Sequence, residues 1–271
     1  MNDLFSLEGR VAIVTGGNGG IGKAIACALA SKGAGIAVAA RNRTKTARAV
    51  KEIKESYGVS AQGIEVDLLH EEQIDLMVKK VMEVFGRIDI LVNNAGIAEG
   101  KKPQDVSIND WDTVLNTNLR GTFLCARAVY PHMKDKGGGK IINIGSMASI
   151  FGSAFLPAYS ASKGGIVQLT KSLAVAWAPD NIQVNAILPG WYKTGLGEEA
   201  RKSDSTHERR IASFTPMGRW GKTNELGGAA IFLASSASDF VTGVELPVDG
   251  GYSISLNGMD GPFSPPGARS R

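Results

Sequence analysis

Short apolar runs rich in valine, isoleucine and alanine alternate along the chain with longer segments of helical periodicity, and each run has the length of one β-strand. The seven runs are Val11–Val14, Ile36–Ala40, Gly63–Val66, Ile88–Val92, Lys140–Ile144, Ile182–Leu188 and Glu245–Val248. The segments between them are long enough for crossover helices, so successive strands can lie parallel. This alternation predicts an α/β fold in which a doubly wound sheet of seven parallel strands carries helices on both faces.

The length and composition of the chain favour one folded unit. It has 271 residues, of which 43% are hydrophobic and 21% charged, and α/β sheets of about 250 residues commonly form one domain. No repeat and no linker rich in proline, glycine or serine occurs before residue 252. We therefore expect one domain over residues 1–256, with a substrate lid at 191–220 and a mobile tail at 257–271. A pair of solvated surface helices is the alternative for the lid, since charged runs usually face water.

Composition argues against several classes of protein. The 30 basic residues are spread along the chain and the net charge is only +4, so nucleic acid is not an expected partner. No apolar run approaches the ~18 residues of a membrane helix, and the N-terminus lacks the features of a signal peptide. Cys27 and Cys125 fit buried free thiols, and His70, His132 and His207 are too far apart to hold a metal. We expect a cytoplasmic protein without a metal or a membrane partner.

A glycine-rich turn follows the first strand and leads into an apolar helix. The turn is Thr15-Gly16-Gly17-Asn18-Gly19-Gly20-Ile21-Gly22. Glycines let the backbone bend tightly and approach a pyrophosphate, whose charge is favoured by the amides and the dipole at the start of the helix. The order of strand, glycine turn and helix therefore predicts a Rossmann-type dinucleotide site. We assign to it Gly16, Asn18, Gly20, Ile21 and Gly22.

The ends of the next strands indicate which dinucleotide binds. A carboxylate after the second strand would hold the ribose hydroxyls, whereas a cation would accept a 2′-phosphate. The chain has Arg41, Asn42 and Arg43 there and no acid, which favours NADP(H) over NAD(H), with NAD still an alternative. An exposed arginine pair without a ligand is the other interpretation. Further cofactor-binding residues are expected at the ends of the third and fourth strands, namely Asp67, a candidate acceptor for the adenine amino group, Leu68, Asn94, Ala95 and Gly96.

Three polar side chains can converge on one substrate oxygen. Tyr159 and Lys163 are four residues apart, so they lie on one face of a helix, where the ammonium can favour the phenolate. A phenol titrates near ~10 and must be shifted to act as an acid or a base at neutral pH. Ser146, thirteen residues before the tyrosine, adds a hydroxyl. The pattern predicts a proton-transfer site.

The glycine turn, the segment Asn93-Asn94-Ala95-Gly96 and the Tyr-x-x-x-Lys pair occur in an order that resembles the short-chain dehydrogenase/reductase family, over roughly residues 5 to 252. The resemblance implies that Tyr159 is the general acid/base, that Lys163 lowers its pKa and binds ribose, and that Ser146 bonds the reacting oxygen. Asn118 matches the asparagine that supports a water relay to the lysine.

The same resemblance extends to the nicotinamide end of the cofactor and to assembly. Pro189, Gly190 and Thr194 match the segment that binds the nicotinamide carboxamide. The resemblance also implies a homotetramer, in which the long helices near 107–134 and 157–178 pack against copies of themselves and the C-terminal strand forms a second interface.

Two positions depart from the family pattern. Gly19 stands where members that prefer NADP often have lysine or arginine just before the Gly-Ile-Gly. Tyr192 and Lys193 stand where a small aliphatic residue usually precedes the nicotinamide threonine, Thr194. We expect this pair to crowd or polarise the mouth of the substrate site.

Three segments are similar to the gluconate and deoxygluconate dehydrogenase branch, and these are Lys140–Ile144, Thr215–Gly221 and Asp239–Gly243. The resemblance thus predicts hydride transfer between NADP(H) and a secondary alcohol or ketone, such as a polyol or a sugar acid. Cationic candidates near the lid are Lys193, Arg209 and Arg210. One alternative is a reductase of 3-oxoacyl thioesters on acyl-carrier protein. Another is a non-catalytic dinucleotide-binding regulator, although a sensor would need only the cofactor half of the site.

Overall fold

The computed structural model describes residues 3–194 and 206–255 and contains the expected sheet. All seven strands are parallel and lie in the order β3-β2-β1-β4-β5-β6-β7. The strands are β1 Val11–Thr15, β2 Gly35–Ala40, β3 Ala61–Glu65, β4 Ile90–Asn93, β5 Gly139–Ile144, β6 Ile182–Pro189 and β7 Glu245–Val248. Every predicted run is a strand, and the ends differ from those expected by no more than two residues.

Helices cover both faces of the sheet, as the strand pattern predicts. Their bounds are α1 Gly20–Ala30, α2 Arg43–Tyr57, α3 Glu71–Phe85, α4 Ile108–Leu115, α5 Gly121–Asp135, α6 Pro157–Trp177, α7 His207–Phe214 and α8 Gly227–Ala234. Because side chains alternate along a strand, Ala12 and Val14 of β1 pack toward α1, α2 and α8, whereas Val11 and Ile13 pack toward α3, α5 and α6. The sheet is therefore buried on both sides, which explains its near-continuous apolar strands.

The strand order places a crevice between β1 and β4. Strand β1 pairs with β2 on one side and with β4 on the other. The crossovers leave β1 in opposite directions, so the loops that follow β1 and β4 separate at the carboxyl edge of the sheet. Sheets of this kind bind ligands at that point. The glycine turn follows β1 and the Asn94–Gly96 segment follows β4, so both expected cofactor segments flank this crevice.

The helix expected near 107–134 contains an irregular turn. Helix α4 begins at a capping box between Ser107 and Asp110, and a π-helical turn over Asn116–Arg120 joins it to α5. In this turn the Gly121 N–H donates to the Asn116 carbonyl, five residues back. Such turns are frequent at functional sites because they displace one residue from the regular spiral. The displaced segment here contains Asn118, which no hydrophobic periodicity could have indicated.

Parts of the expected lid and tail lie outside the described residues. Residues 195–205 of the predicted lid and the predicted tail at 257–271 belong to those parts. The described portion of the lid comprises Trp191–Thr194, α7 and the segment from there to Trp220. Among the helices of residues 3–194 and 206–255, none is both long enough and apolar enough to cross a bilayer.

A buried carboxylate joins the amino ends of β1 and β4, on the side of the sheet opposite the crevice. The Asp89 side chain is 6% exposed and accepts hydrogen bonds from the Arg87 guanidinium at 2.7 and 2.8 Å and from the Val11 N–H at 2.8 Å. Lys136 Nζ lies 3.0 Å from the same carboxylate. Burial raises the pKa of Asp89, but the hydrogen bonds from Arg87, Lys136 and Val11 outweigh it and hold the pKa below its ordinary value.

We expect Asp89→Ala to lower the free energy of unfolding by about 2 kcal/mol at pH 7, because the buried Val11 N–H loses its acceptor and two cations lose their partner. Since the native pKa of Asp89 lies below its unfolded value, this stabilisation is present above the unfolded pKa and is lost as pH falls through the native pKa. Urea unfolding at several pH values should show the gap between the two proteins closing below pH ~4.

Glu83→Ala is the matched control. Glu83 forms an exposed ion pair with Lys80, and such pairs contribute less than about 1 kcal/mol. Equal losses of stability in the two variants, or a gap that does not change with pH, would contradict the role given to Asp89.

Candidate active site

The glycine turn packs against the end of β4 too closely for side chains. Gly16 has φ 64°, a left-handed conformation that favours glycine. A Cβ on Gly16 would come within 2.8 Å of Asn94 Nδ2. A Cβ on Gly22 would overlap the same amide and would lie 2.5 Å from the Gly16 carbonyl oxygen. The turn also reaches the neighbouring strand, since the Gly16 N–H donates to the Ala39 carbonyl at 2.7 Å.

Thr15 links the glycine turn to the loop after β4. Its side chain is buried, and its hydroxyl oxygen accepts from the Asn94 N–H at 3.0 Å and from the Ala95 N–H at 3.1 Å. The Asn94 side-chain amide returns a hydrogen bond to the Thr15 carbonyl at 2.9 Å. Sequence reasoning did not select Thr15. The signal available was a small hydroxyl residue at the end of an apolar strand, directly before the turn.

Asn118 holds the next part of that loop. It is fully buried; its Oδ1 accepts from the Ile97 N–H at 2.8 Å, and its Nδ2 donates to the Ile97 carbonyl at 2.9 Å and to Ser162 Oγ at 3.0 Å. A Cβ on Gly96 would lie 3.1 Å from Asn118 Oδ1. The asparagine side chain therefore fastens the β4 loop to α6, and its part in a water relay stays a prediction.

Lys163 is buried at the centre of the site. Its ammonium donates to the Ile144 carbonyl at 2.7 Å and lies 5.6 Å from the centroid of the Tyr159 ring. Burial lowers the pKa of Lys163 to about 8. The same ammonium is 3.7 Å from the position of a Cβ on Gly96. The lysine thus stands between the end of β5, the loop after β4 and the tyrosine ring.

The Ser146 hydroxyl lies close enough to the Tyr159 phenol to act on its pKa. Burial raises the pKa of the Tyr159 phenol, and the neighbouring Ser146 hydroxyl lowers it in part, so the pKa stays above its ordinary value. The Lys163 ammonium faces the Tyr159 ring and the Ile144 carbonyl. The lowering of the phenol pKa by Lys163 stays a prediction.

The loop after β5 is attached to the helix that carries the tyrosine and the lysine. Ser146 Oγ accepts from the Ala148 N–H at 3.1 Å. Ser149 Oγ accepts from the Ser146 N–H at 3.2 Å and donates to the Lys163 carbonyl at 2.8 Å. Ser149 therefore sets the position of Ser146 relative to α6. It was not selected from the sequence, where it is one of several serines in this loop.

The residues expected at the adenosine end have different surroundings. Asn42 caps α2, since its Oδ1 accepts from the Lys45 N–H at 2.9 Å, and Asn18 donates to Thr46 Oγ1 at 3.0 Å. Arg41 is exposed at the end of β2. Arg43 points elsewhere, because its Nε lies 3.3 Å from a carboxylate oxygen of Glu65. Arg43 thus faces Glu65 in this structure, and a joint action of the two arginines stays a prediction.

The other expected cofactor residues line the same edge of the sheet. Asp67 Oδ1 accepts from the Leu69 N–H at 3.1 Å, and Leu68 is buried against Gly121. Thr194 lies across the glycine turn, 3.8 Å from the position of a Cβ on Gly20. The remaining expected residues of this edge are Ile21, which packs partly against the α1 face of the core, and Pro189 and Gly190 at the end of β6.

Tyr192 does not crowd the substrate mouth, contrary to the expectation from the sequence. It is 7% exposed and its hydroxyl donates to the Val248 carbonyl at 2.8 Å. The ring fills the space beside Gly221, whose Cβ would lie 2.5 Å from it. Lys193 does point outward, but its ammonium is 2.7 Å from a carboxylate oxygen of Glu208 on α7. The Tyr192 ring therefore packs in the core of the protein.

Four aromatic rings cluster beside the segment that is expected to form the lid. Trp191 contacts Trp220 and Tyr252, with ring centroids 5.5 and 6.5 Å apart, and Phe151 meets Tyr252 at 6.2 Å. Trp220 is 4% exposed, in agreement with a packing role. The four rings come from separate loops, so no local pattern brings them together.

The arrangement combines a glycine-lined crevice at the ends of β1 and β4 with the neighbouring side chains of Tyr159 and Lys163. Close packing of glycines leaves backbone approachable at the start of α1, and the Tyr159 and Ser146 hydroxyls lie beside the buried cation Lys163. The described residues contain no cluster of three histidine, cysteine or acidic side chains that could hold a metal ion.

Comparisons with known proteins agree with this geometry. A family model described as enoyl-(acyl carrier protein) reductase matches residues 16–253. The 2-dehydro-3-deoxy-D-gluconate 5-dehydrogenase of Bacillus subtilis is 42% identical over 252 residues, which are 93% of this chain and 98% of that protein. The 5-keto-D-gluconate 5-reductase of Escherichia coli K12 is 39% identical over 256 residues, which are 94% of this chain and 100% of that protein.

A solved structure is similar over nearly the same length. The gluconate 5-dehydrogenase of Burkholderia cenocepacia, crystallised in complex with NADP and tartrate, superposes with a TM-score of 0.89 and 40% sequence identity. The match covers 94% of this chain and 99% of that chain.

We expect Gly22→Ala to destabilise the protein by about 1–3 kcal/mol, because the added methyl group would overlap the Asn94 amide and press on the Gly16 carbonyl. Thermal unfolding measures the change. Gly228→Ala in the first turn of α8 is the matched control, since a Cβ there meets open space and alanine stabilises a helix by up to about 1 kcal/mol. Unchanged stability of Gly22→Ala would contradict the close packing described here.

Proposed function

Because the chain belongs to the short-chain dehydrogenase/reductase family, we propose that it transfers a hydride between NADP(H) and a secondary alcohol or ketone of a sugar acid or polyol. The chain is an NAD(P)-dependent oxidoreductase. The observation that carries the finer proposal is the placement of the Tyr159 phenol next to Ser146 and the buried Lys163, close to a glycine turn that has no room for side chains at Gly16 and Gly22.

The residues at the crevice fit a dinucleotide. The tight contact of Gly16 and Gly22 with Asn94 leaves room for a pyrophosphate to approach the backbone at the start of α1. Arg41, without an acid beside it, supports NADP(H), and the related gluconate 5-dehydrogenase structure contains NADP. The remaining proposed cofactor-binding residues are Asn18, Gly20, Ile21, Asn42, Asp67, Leu68, Ala95, Gly96, Pro189, Gly190 and Thr194. When bound, the nicotinamide supplies or accepts the hydride.

Tyr159 moves the proton in this mechanism. In the direction of reduction its phenol gives a proton to the carbonyl oxygen of the substrate, and in the direction of oxidation it takes the proton from the alcohol. We assign to Ser146, next to Tyr159, a hydrogen bond to the same substrate oxygen, which would stabilise the charge that develops there. The Ser146 hydroxyl is held by the Ala148 N–H, which limits the reorganisation that it needs.

Lys163 and Asn118 support the tyrosine. The Lys163 ammonium is buried next to the Tyr159 ring, and we assign it to ribose binding and to lowering the phenol pKa once the site is filled. Asn118 holds the β4 loop in place through Ile97 and the helix through Ser162. Its place in the π-turn supports the relay that would return protons to the lysine.

The substrate class is inferred from relatives. Two of them act on C5 of a keto-gluconate or deoxygluconate by their names, and a third was crystallised with tartrate, a hydroxy dicarboxylate. Of the cations considered near the lid, Lys193 is ion-paired with Glu208, whereas Arg209 is exposed on α7. The aromatic rings at the mouth provide apolar surface for the C–H faces of a sugar acid.

Domain organisation, assembly and location form part of the same proposal. We assign residues 1–256 to one oxidoreductase domain, with a substrate lid at 191–220 and a mobile tail at 257–271. The exposed apolar side chains Ile108 and Phe123, on the helices expected to pair, support a homotetramer. The free thiols Cys27 and Cys125 support a reducing, cytoplasmic location.

Tyr159→Phe removes the proton donor with little change in volume. We expect kcat to fall by about 10²–10⁴-fold, because general acid–base catalysis is lost, while NADPH binding measured by fluorescence changes little. Tyr57→Phe is the control, since Tyr57 is partly exposed at the end of α2 and should keep full activity. Undiminished turnover in Tyr159→Phe would exclude the tyrosine as the acid/base and would leave the mechanism without a proton donor.

A substrate panel tests the reaction itself. Purified protein should reduce 5-keto-D-gluconate or a related keto sugar acid with NADPH, followed by absorbance, and should oxidise the corresponding alcohol with NADP⁺. The alternative of a 3-oxoacyl-thioester reductase makes an acetoacetyl thioester the proper competitor. Turnover of the thioester alone would replace the sugar-acid assignment, and binding of NADPH without turnover of any carbonyl compound would favour the regulatory alternative.

A further inference from the structure

Lys45 occupies the space left by the glycine at position 19. A Cβ built on Gly19 would lie 2.8 Å from Lys45 Nζ and 2.9 Å from its Cε, and it meets no other described atom within 4 Å. Gly19 itself has an extended backbone, with φ −173° and ψ 169°, a conformation that any residue adopts. The space that a side chain at position 19 would take is therefore occupied by the Lys45 ammonium from α2.

Three hydrogen bonds fix the first turn of α2 and the end of β2 next to the glycine turn. Asn42 caps α2 by accepting from the Lys45 N–H, which fixes the backbone from which the lysine projects. The Asn18 side chain donates to Thr46 Oγ1, the residue after Lys45. On the strand side, the Gly16 N–H donates to the carbonyl of Ala39 at the end of β2. Lys45 and Arg41 consequently flank the same end of the glycine turn.

Arg41 and Lys45 differ from the neighbouring cations in their ion pairing. Arg43 pairs with Glu65, and Lys23 at the start of α1 pairs with Glu52 at 2.6 Å. Within the described part of the chain, neither Arg41 nor Lys45 lies within ion-pair distance of a carboxylate.

We propose that Lys45, together with Arg41, binds the 2′-phosphate of NADP(H) and sets the preference for NADP(H) over NAD(H). The proposal rests on the function proposed above and extends it to a residue of α2. A phosphate carries close to two negative charges, and an ammonium binds it as a point charge. Lys45 thus supplies from α2 the cation that NADP-preferring members of the family often carry in the glycine turn itself. Asn42 acts as the helix cap that positions it, and Arg43 takes no part.

Binding of fragments tests this without any reaction. Adenosine 2′,5′-bisphosphate contains the 2′-phosphate and ADP does not, and isothermal titration gives the affinity of the full-length protein for each. We expect Lys45→Met to weaken binding of the bisphosphate by about tenfold and to change ADP binding by less than about twofold. Lys54→Met is the control, because it removes the same charge from an exposed site nine residues further along α2 and should leave both affinities unchanged.

A relocated charge makes the test independent of damage to α2. In Lys45→Ala the space beside Gly19 is open, so adding Gly19→Arg should restore most of the discrimination between the bisphosphate and ADP. Unchanged bisphosphate affinity in Lys45→Met, or an equal loss for ADP, would overturn the proposal. Failure of the wild-type protein to oxidise or reduce sugar acids would count only against the proposed reaction, since the binding comparison needs no turnover.

Discussion

The close contact between the glycine turn and the loop after β4 is the constraint on which the rest of the site depends. The loops after β1 and β4 separate at this point. Thr15 joins them by accepting hydrogen bonds from two successive backbone amides of the β4 loop. Asn94 completes the link, and it also occupies the space that a Cβ on Gly22 would need. Small residues in the turn and an asparagine in the loop are therefore one packing solution. The crevice keeps its shape because neither side can move without the other.

Further hydrogen bonds connect the loops at this contact to α6, the helix that carries Tyr159 and Lys163. Asn118 connects the β4 loop to Ser162, while Ser149 connects the β5 loop to the Lys163 carbonyl. Lys163 then donates to the Ile144 carbonyl at the end of β5. Each of these hydrogen bonds joins α6 to a strand end that also borders the crevice. The tyrosine and serine hydroxyls are thereby fixed relative to the dinucleotide turn, at the cost of burying a lysine whose pKa falls to about 8.

Charges around the crevice are divided between structure and binding. Arg219 forms a two-pronged pair with Glu225, Lys193 pairs with Glu208, and Arg43 pairs with Glu65. These cations stabilise loops and helix ends and are not free for a ligand. Arg41 and Lys45 differ from them in having no carboxylate nearby within the described residues. A count of basic residues near a strand end therefore overstates the number that can meet a phosphate.

Local sequence was sufficient for the strands, the glycine turn and the Tyr159–Lys163 pair, because strand length, helical spacing and backbone freedom depend on near neighbours in the chain. It also placed Ser146 and Asn118 in the site through family resemblance. Only the tertiary structure decided which side chains meet across elements. It turned Tyr192 into the core, paired Arg43 with Glu65, made Thr15 and Ser149 the fasteners of the loops, and set Lys45 beside Gly19. Such contacts depend on how strands and helices that are far apart in the sequence lie relative to one another. A local sequence pattern does not determine those relative positions.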